Sequence, residues 1–564
     1  MHQPVKKYLP FMGVKLPDRQ WPNKKITAPP IWCSVDLRDG NQALVTPMQL
    51  EEKLLLFKTL VDIGFKEIEV GFPSASETEY EILRTLIEKN YIPDDVTIQV
   101  LVQARPKLIK KTFEAVQGAK NVIIHFYNST SALQRKIVFN KGKDGITAIA
   151  VEGAKLIKQL TEEEVAKSGM HIRYEYSPES FTGTEMDYAI EICDAVLDAL
   201  GATKENPVIL NLPSTVEMST PNTYADQIEY CCRALKKDGR SIISIHPHND
   251  RGTGVAATEL AIMAGADRVE GTLFGNGERT GNVDIVNVAL NMYTHNVDPK
   301  LDFSHINHIK DVCEQVTKMP IDDRHPYAGK LVFTAFSGSH QDAVRKGLAY
   351  MADTNTPYWE VPYLPINPAD INREYEPVIR INSQSGKGGA AFVMEQTVGY
   401  RLPKAMQVEF GKVVKDAADN YGDELSSTKI VSIFNKEYVD YKGIYALKKH
   451  KISEEQPDHE GGEARTTFEG NVEVRGKDTY ITGHGNGPID AFFNALQTIG
   501  VKGYEFIDYH EHAISQGSNS KAIAYIELKR PDGEHVFGVG INPNINTTSL
   551  LGVVNAMNRS LKNA

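Results

Sequence analysis

Between residues 30 and 285 one pattern recurs eight times: a short apolar run rich in β-branched residues, a turn, then apolar positions at helical spacing. The runs cover residues 31–38, 66–73, 97–105, 121–129, 171–179, 207–215, 241–248 and 267–274, and stretches such as 49–63 and 253–264 carry the helical pattern. Eight strand–helix units predict an α/β fold whose first domain is a (β/α)8 TIM barrel over residues 30–303, preceded by an arm at 1–29. A doubly wound sheet alternates in the same way. No glycine-rich nucleotide turn follows the first run, which favours the barrel.

Beyond the barrel the pattern changes. Residues 304–452 read as helical and irregular, with loops at 353–372 and 382–389, and a polar, acidic stretch at 453–465 reads as a linker. Strands are predicted at 468–481, 521–529 and 534–540, and helices at 488–496 and 548–561, which makes 453–564 a compact α/β module.

Composition narrows the functional classes. Of 564 residues, 62 are basic and 73 acidic, for a formal charge of −11, and no long basic run offers a nucleic-acid surface. No apolar stretch of roughly 18 residues or more is present, so a membrane partner is not expected. The cysteines (Cys33, Cys193, Cys231, Cys232, Cys313) show no metal-type spacing and read as reduced thiols of a cytoplasmic protein.

In a barrel the working face is the C-terminal edge of the strands, and the polar oddities of this chain fall there. Arg38 and Asp39 close the first run, His125 lies in the fourth, Ser177 and Glu179 end the fifth, and Thr215 ends the sixth. His246 and His248 end the seventh, and Glu278, Arg279 and Asn282 follow the eighth. Singly, each has an ordinary structural explanation: Glu179 as a helix cap, Arg279 as a surface ion pair, His125 as a hydrogen-bonded core histidine. Their joint occurrence on one rim points to chemistry. Residues two apart on a strand face the same way, so both imidazoles of His246-Pro-His248 converge on one point. With Asp39, and with Asn282 as a weaker candidate, they suit an open divalent-metal site for Mg2+, Mn2+, Fe2+ or Zn2+. Such an open site would leave positions for a bidentate 2-oxo acid, whose ketone the metal would polarise, and Arg38 beside it would then stabilise the alkoxide formed on attack.

The motifs Ser-Val-Asp-Leu-Arg-Asp-Gly-Asn-Gln-Ala-Leu (34–44), Glu-Val-Gly-Phe-Pro (69–73), Ser-Pro-Glu (177–179), Asn-Leu-Pro-Ser-Thr-Val-Glu (211–217), His-Pro-His-Asn-Asp (246–250) and Gly-Asn-Gly-Glu-Arg-Thr-Gly-Asn (275–282) closely resemble those of the 2-isopropylmalate synthases. The resemblance extends through Phe-Ser-Gly-Ser-His-Gln-Asp (336–342), Val-Pro-Tyr-Leu-Pro (361–365) and Asn-Ser-Gln-Ser-Gly-Lys-Gly-Gly (382–389), and these later motifs are the specific ones. The barrel motifs alone fit the wider superfamily of homocitrate and citramalate synthases and hydroxymethylglutaryl-CoA lyases. The resemblance implies a Claisen-type condensation of acetyl-CoA with 2-oxoisovalerate, the entry step to leucine. It implies a divalent metal, Mg2+ or Mn2+ with Zn2+ as the alternative, on Asp39, His246, His248 and Asn282; a K+ requirement is left open. It places His125, Ser177 and Thr215 around the oxo acid, with Arg38 and Glu179 as catalytic residues. His340 and Tyr363 match residues that, in the family, come from the neighbouring subunit of a homodimer. Glu179 and His340 are the two candidates for the base that removes the thioester methyl proton.

The turn Gly483-His484-Gly485-Asn486-Gly487-Pro488 joins a predicted strand to a helix and lets backbone N–H groups approach a small anionic ligand. As a bare motif it is weak. The resemblance makes it part of a leucine-binding regulatory domain, in which Gly485 and Gly487 approach the inhibitor and Ala522 and Ala524 leave room for its side chain. The competing expectations are a sister condensing enzyme that takes another oxo acid, a lyase, and a non-catalytic amino-acid sensor on a retired barrel.

Overall fold

The computed structural model describes residues 11, 13–236, 238–335, 337–375, 389–421, 425–455, 465–514 and 520–561. The eight runs become β1 (Ile31–Ser34), β2 (Glu67–Gly71), β3 (Thr97–Gln103), β4 (Asn121–Ser129), β5 (His171–Glu179), β6 (Val208–Ser214), β7 (Ser241–Pro247) and β8 (Arg268–Gly271). All pair in parallel, each with the next, and β1 closes on β8. Strands β2, β6 and β8 are buried at every position, because helices cover the outer face and side chains fill the inner one.

Local signals set the helix ends. The helix Leu50–Ile63 opens on a capping box of Gln49 and Glu52 and stops at Gly64, whose φ of 110° lies in the left-handed region. The helix Glu77–Glu88 starts on Ser76, whose hydroxyl accepts from the Glu79 N–H. The first run departs from the prediction. After Ser34 the chain leaves the sheet and makes a π-helical turn, Asp36–Gly40, in which the N–H groups of Arg38, Asp39 and Gly40 all donate to the Val35 carbonyl. Turns of this kind occur often at functional sites.

The chain divides into two compact units, Met1–Phe333 with Pro365–Glu374, and Thr334–Leu364 with Tyr375–Ala564. In the second, the helices Gly338–Thr354, Gly389–Val398, Lys404–Tyr421 and Ser427–Phe434 precede β9 (Tyr445–Glu455), β10 (Arg465–Val474), β11 (Lys477–Gly485), β12 (Glu505–Ala513), β13 (Ala522–Lys529) and β14 (His535–Asn542). These strands form two antiparallel sheets, ordered β11-β10-β9 and β12-β13-β14. The single strand expected at 468–481 is a hairpin, turned at Arg475 and Gly476, both with positive φ. Strands β9 and β12 were not predicted. Both are edge strands with exposed, charged positions, so neither shows the alternation of a half-buried strand. The linker expected at 453–465 begins inside β9, and 456–464 lie outside the described residues, as does most of the loop expected at 382–389. Met406, Phe410, Phe434 and Tyr438 of the helical segment share one hydrophobic core with Tyr525 and Phe537 of β13 and β14. Among the described residues no helix is long and apolar enough to cross a membrane.

Candidate active site

Arg38, Asp39, His125, Ser177, Glu179, Thr215, His246 and His248 line one cavity of about 240 Å3, together with Leu101, Tyr127, Asn211, Pro213, Glu278 and Arg279. The π turn, strands β3 to β7 and the segments that follow β6, β7 and β8 bring them together. Asp39 Oδ2 lies 3.6 Å from His246 Nε2 and 3.9 Å from His248 Nε2. Asn282 pairs with His248 in an isolated bridge, and its amide nitrogen donates to the Asn276 carbonyl at 3.1 Å. Asp39 Oδ2 and Asn282 Oδ1 are buried without a hydrogen-bond donor among the described residues. Buried lone pairs are rarely left unpartnered, and ligand atoms of Asp39, His246 and His248 all lie within 4.8 Å of one another. This donor set fits a divalent cation.

The electrostatics agree. Burial by itself raises the Asp39 carboxyl, but Arg38 and the two imidazoles overcome it and hold the group well below the usual carboxylate range. Against the effect of burial, Asp39 and Glu270 push His246 up to about 9. Burial, and then the charge of His246, take His248 down to about 4. Glu270 faces His246 Nδ1 at 2.8 Å, which holds the ring with Nε2 toward Asp39.

Beneath the cavity lies a layer of buried charge that the sequence analysis did not single out. Arg268, fully buried, donates to Glu67 (2.6 Å), Ser244 (2.8 Å), Gln99 (2.8 Å) and Glu270 (3.0 Å). Glu270 also accepts from Gln99 (2.8 Å) and Asn211 (2.9 Å). Glu69 receives Arg38 and faces His125 Nδ1 at 2.7 Å, and His125 Nε2 faces Ser177 Oγ at 2.8 Å. Glu175 lies 3.2 Å from Arg268, and burial pushes its carboxyl well above the usual range. The signal was present as Glu67-Ile-Glu69 and Arg268-Val-Glu270, charges at period two inside otherwise apolar runs. Missed for another reason were Leu101, Tyr127 and Pro213. An apolar residue in a strand gives no sign that it lines a cavity.

Glu179 is half-buried at the end of β5 and accepts from the Ser129 hydroxyl. Thr215 Oγ1 accepts from the Ser180 N–H at 3.0 Å, and the Thr215 carbonyl accepts from Arg279, which is also paired with Asp250. His340 and Tyr363 belong to the second unit, where their rings stack with centroids 4.1 Å apart. Tyr363 is 62% exposed and has a φ of 65°. Gly485 ends β11 and Gly487 precedes the helix Pro488–Gln497, while Ala522 and Ala524 lie on β13 of the other sheet. A Cβ at Gly485 would stand 2.4 Å from Ala491 N, so this glycine already has a packing reason, whereas the space around Gly487 is open.

Comparison with known proteins places these features in a wider group. A family model described as HMGL-like matches residues 29–313, one for an alpha-isopropylmalate synthase post-catalytic domain matches 330–395, and one for a LeuA allosteric (dimerisation) domain matches 424–561. The chain is 57% identical over 555 residues to a 2-isopropylmalate synthase of Clostridium acetobutylicum, covering 98% of this chain and 99% of the other. It is 53% identical over 558 residues to the enzyme of that name from Rhodospirillum rubrum, with 99% of each covered. For the one from Brucella suis the identity is 54% over 554 residues, with 98% of each covered. Among solved structures, an HMG-CoA lyase of Brucella melitensis is 18% identical with a TM-score of 0.41, covering 52% of this chain and 100% of that one.

Proposed function

Since the chain belongs to the 2-isopropylmalate synthases, acyltransferases of the leucine pathway, we propose that it condenses acetyl-CoA with 2-oxoisovalerate to give 2-isopropylmalate and CoA. The observation that carries the reading is the convergence of Asp39, His246 and His248 beside Arg38 in a small cavity. A volume of about 240 Å3 suits a short oxo acid better than a whole coenzyme.

Asp39, His246 and His248, with Asn282 as a weaker candidate, would hold a divalent cation, Mg2+ or Mn2+ with Zn2+ as the alternative. Bound there, the cation would act as a Lewis acid toward the ketone of the oxo acid. Arg38 sets its guanidinium 2.6 Å from Asp39, where the ketone oxygen gains charge as the new carbon–carbon bond forms. Ser177 and Thr215 offer hydroxyls to the acid, His125 orients Ser177, and the branched side chain rests on Leu101, Tyr127 and Pro213. We assign removal of the thioester methyl proton to His340 of a second copy, assisted by Tyr363, with Glu179 orienting or relaying the proton. Water then cleaves the thioester, leaving a carboxylate and free thiol. The LeuA allosteric (dimerisation) match supports a homodimer inhibited by leucine, with Gly485, Gly487, Ala522 and Ala524 as the candidate contacts. The five cysteines are free, in keeping with a cytoplasmic enzyme.

The test is the initial rate of thiol release from acetyl-CoA with 2-oxoisovalerate, pyruvate or 2-oxoglutarate offered separately. The highest kcat/KM is expected with 2-oxoisovalerate, and added leucine is expected to lower that rate. A preference for another acid would keep the chemistry and replace the substrate, while no release from folded, metal-loaded protein would favour the sensor.

Metal loading should depend on pH. His246 titrates at about 9 without metal, and a ligating imidazole must be neutral, so binding at pH 7 displaces its proton. Mn2+ affinity is therefore expected to rise by about tenfold per pH unit up to roughly pH 9, with about one proton released per ion at pH 7. Calorimetry in buffers of different ionisation enthalpy measures that proton, and its absence would exclude a protonated His246.

A further inference from the structure

Lys53 lies in the second turn of the helix Leu50–Ile63, with its side chain fully buried. It is not among the residues that line the cavity. Its ammonium donates to the Leu37 carbonyl at 3.2 Å and pairs with Glu79. Leu37 stands between Asp36 and Arg38, inside the π turn that presents Arg38 and Asp39. Glu79, in the first turn of the helix Glu77–Glu88, gathers two further donors: Asn41 Nδ2 at 3.3 Å and the Phe72 N–H at 3.2 Å. Asn41 follows the π turn directly, and its Oδ1 accepts the Met48 N–H at 2.7 Å. The same carboxylate explains Gly71 of the Glu-Val-Gly-Phe-Pro motif, because a Cβ there would stand 1.9 Å from Glu79 Oε2.

Opposite this grip, Asp36 accepts from the Leu273 N–H at 3.0 Å and the Gly40 carbonyl accepts from Asn276 at 3.1 Å. The π turn is thus clamped on two sides, by the loop after β8 and by the first two barrel helices. A buried lysine carries a large desolvation cost that an apolar residue of the same length would avoid. What the charge adds here is a hold on the backbone immediately before Arg38 and Asp39.

We propose that Lys53, neutralised by Glu79, is a positioning residue that locks the Asp36–Gly40 turn so that Asp39 faces His246 and His248 and Arg38 faces the cavity. This rests on the assignment of Arg38 and Asp39 to the site. Lys53→Met keeps the aliphatic stem and removes the donor, and Glu79 retains Asn41, the Phe72 N–H and partial solvent access at 14% exposure. Lys53→Met/Glu79→Gln removes the leftover charge as well.

In either folded variant, Mn2+ affinity read from the electron paramagnetic resonance of the free ion is expected to weaken roughly 10- to 100-fold. The kcat at saturating Mn2+ is expected to fall as well, with KM for acetyl-CoA little changed. A purely structural lysine would lower the melting temperature and leave Mn2+ affinity alone. Asp39→Asn separates the two levels of the argument. If it loses Mn2+ while both folded Lys53 variants bind Mn2+ and turn over like the parent, the positioning role is overturned and the metal site stands. If Asp39→Asn binds Mn2+ normally, the site assignment falls and the inference with it. Failure of both Lys53 variants to fold assigns the residue to folding and also overturns the proposal.

Discussion

Arg268→Met is expected to destabilise the protein by about 3–5 kcal/mol, the range for removing one partner from a buried ionic network. Arg268 is fully buried at the centre of the barrel and is hydrogen-bonded to Glu67 and Glu270. Burial pushes both carboxyls up, but Arg268 together with Arg173 at Glu67, and together with His246 and His125 at Glu270, outweighs it and leaves Glu67 below, and Glu270 well below, the usual range. Such groups add stability above their unfolded pKa of about 4.3, and that contribution is lost as pH falls through their lower folded values. Without Arg268 the sign reverses. The buried carboxylates become costly at neutral pH and take up protons on folding. The stability gap between parent and variant is therefore expected to be largest near pH 7 and to narrow as the pH falls. Chemical denaturation at pH 7 and pH 5 reads both, and a gap below about 1 kcal/mol at pH 7 would mean that the layer is hydrated.

Arg38→Ala is expected to lower kcat by about 10²–10³, the loss seen when one donor to a developing oxyanion is removed. The guanidinium is 11% exposed and held by Asp39 and Glu69, so it is already oriented before substrate arrives. On the proposed mechanism the charge it meets exists only as the ketone is attacked, so KM for the oxo acid should change far less than kcat. The same variant tests the proposal that two subunits share each site. Mixing Arg38→Ala chains with His340→Ala chains and allowing them to exchange places one intact site in each mixed dimer, and about a quarter of parental activity is expected. If activity stays at the level of the separate variants, each chain supplies its own His340 or His340 has no part in the reaction.

Much of the site was legible in the primary structure because a barrel turns sequence position into place. A polar residue that ends an apolar run lies on the rim, so Asp39, Glu179, His246 and His248 could be gathered into one constellation before any distance was known. The later motifs narrowed the family for a different reason: they lie outside the barrel, whose motifs the wider superfamily shares. Interior charges were harder to recognise. Glu67, Glu69, Arg268 and Glu270 break the apolar runs at period two, a signal present but weaker than the strand pattern around it.

The amino-acid order by itself determined the eight strand–helix units, the rim residues and the family. Hydrophobic periodicity and turn chemistry are local properties, and barrel topology converts them into a face. Tertiary structure decided the rest. The edge strands β9 and β12 are held by hydrogen bonds to neighbours, and their exposed side chains carry no sign of it. The apolar wall of Leu101, Tyr127 and Pro213 exists only because the barrel closes. The grip of Lys53 on Leu37 joins a helix to a turn across a buried space, and neither residue announces the other. Contacts between residues distant in sequence depend on closure and packing, which no local pattern contains.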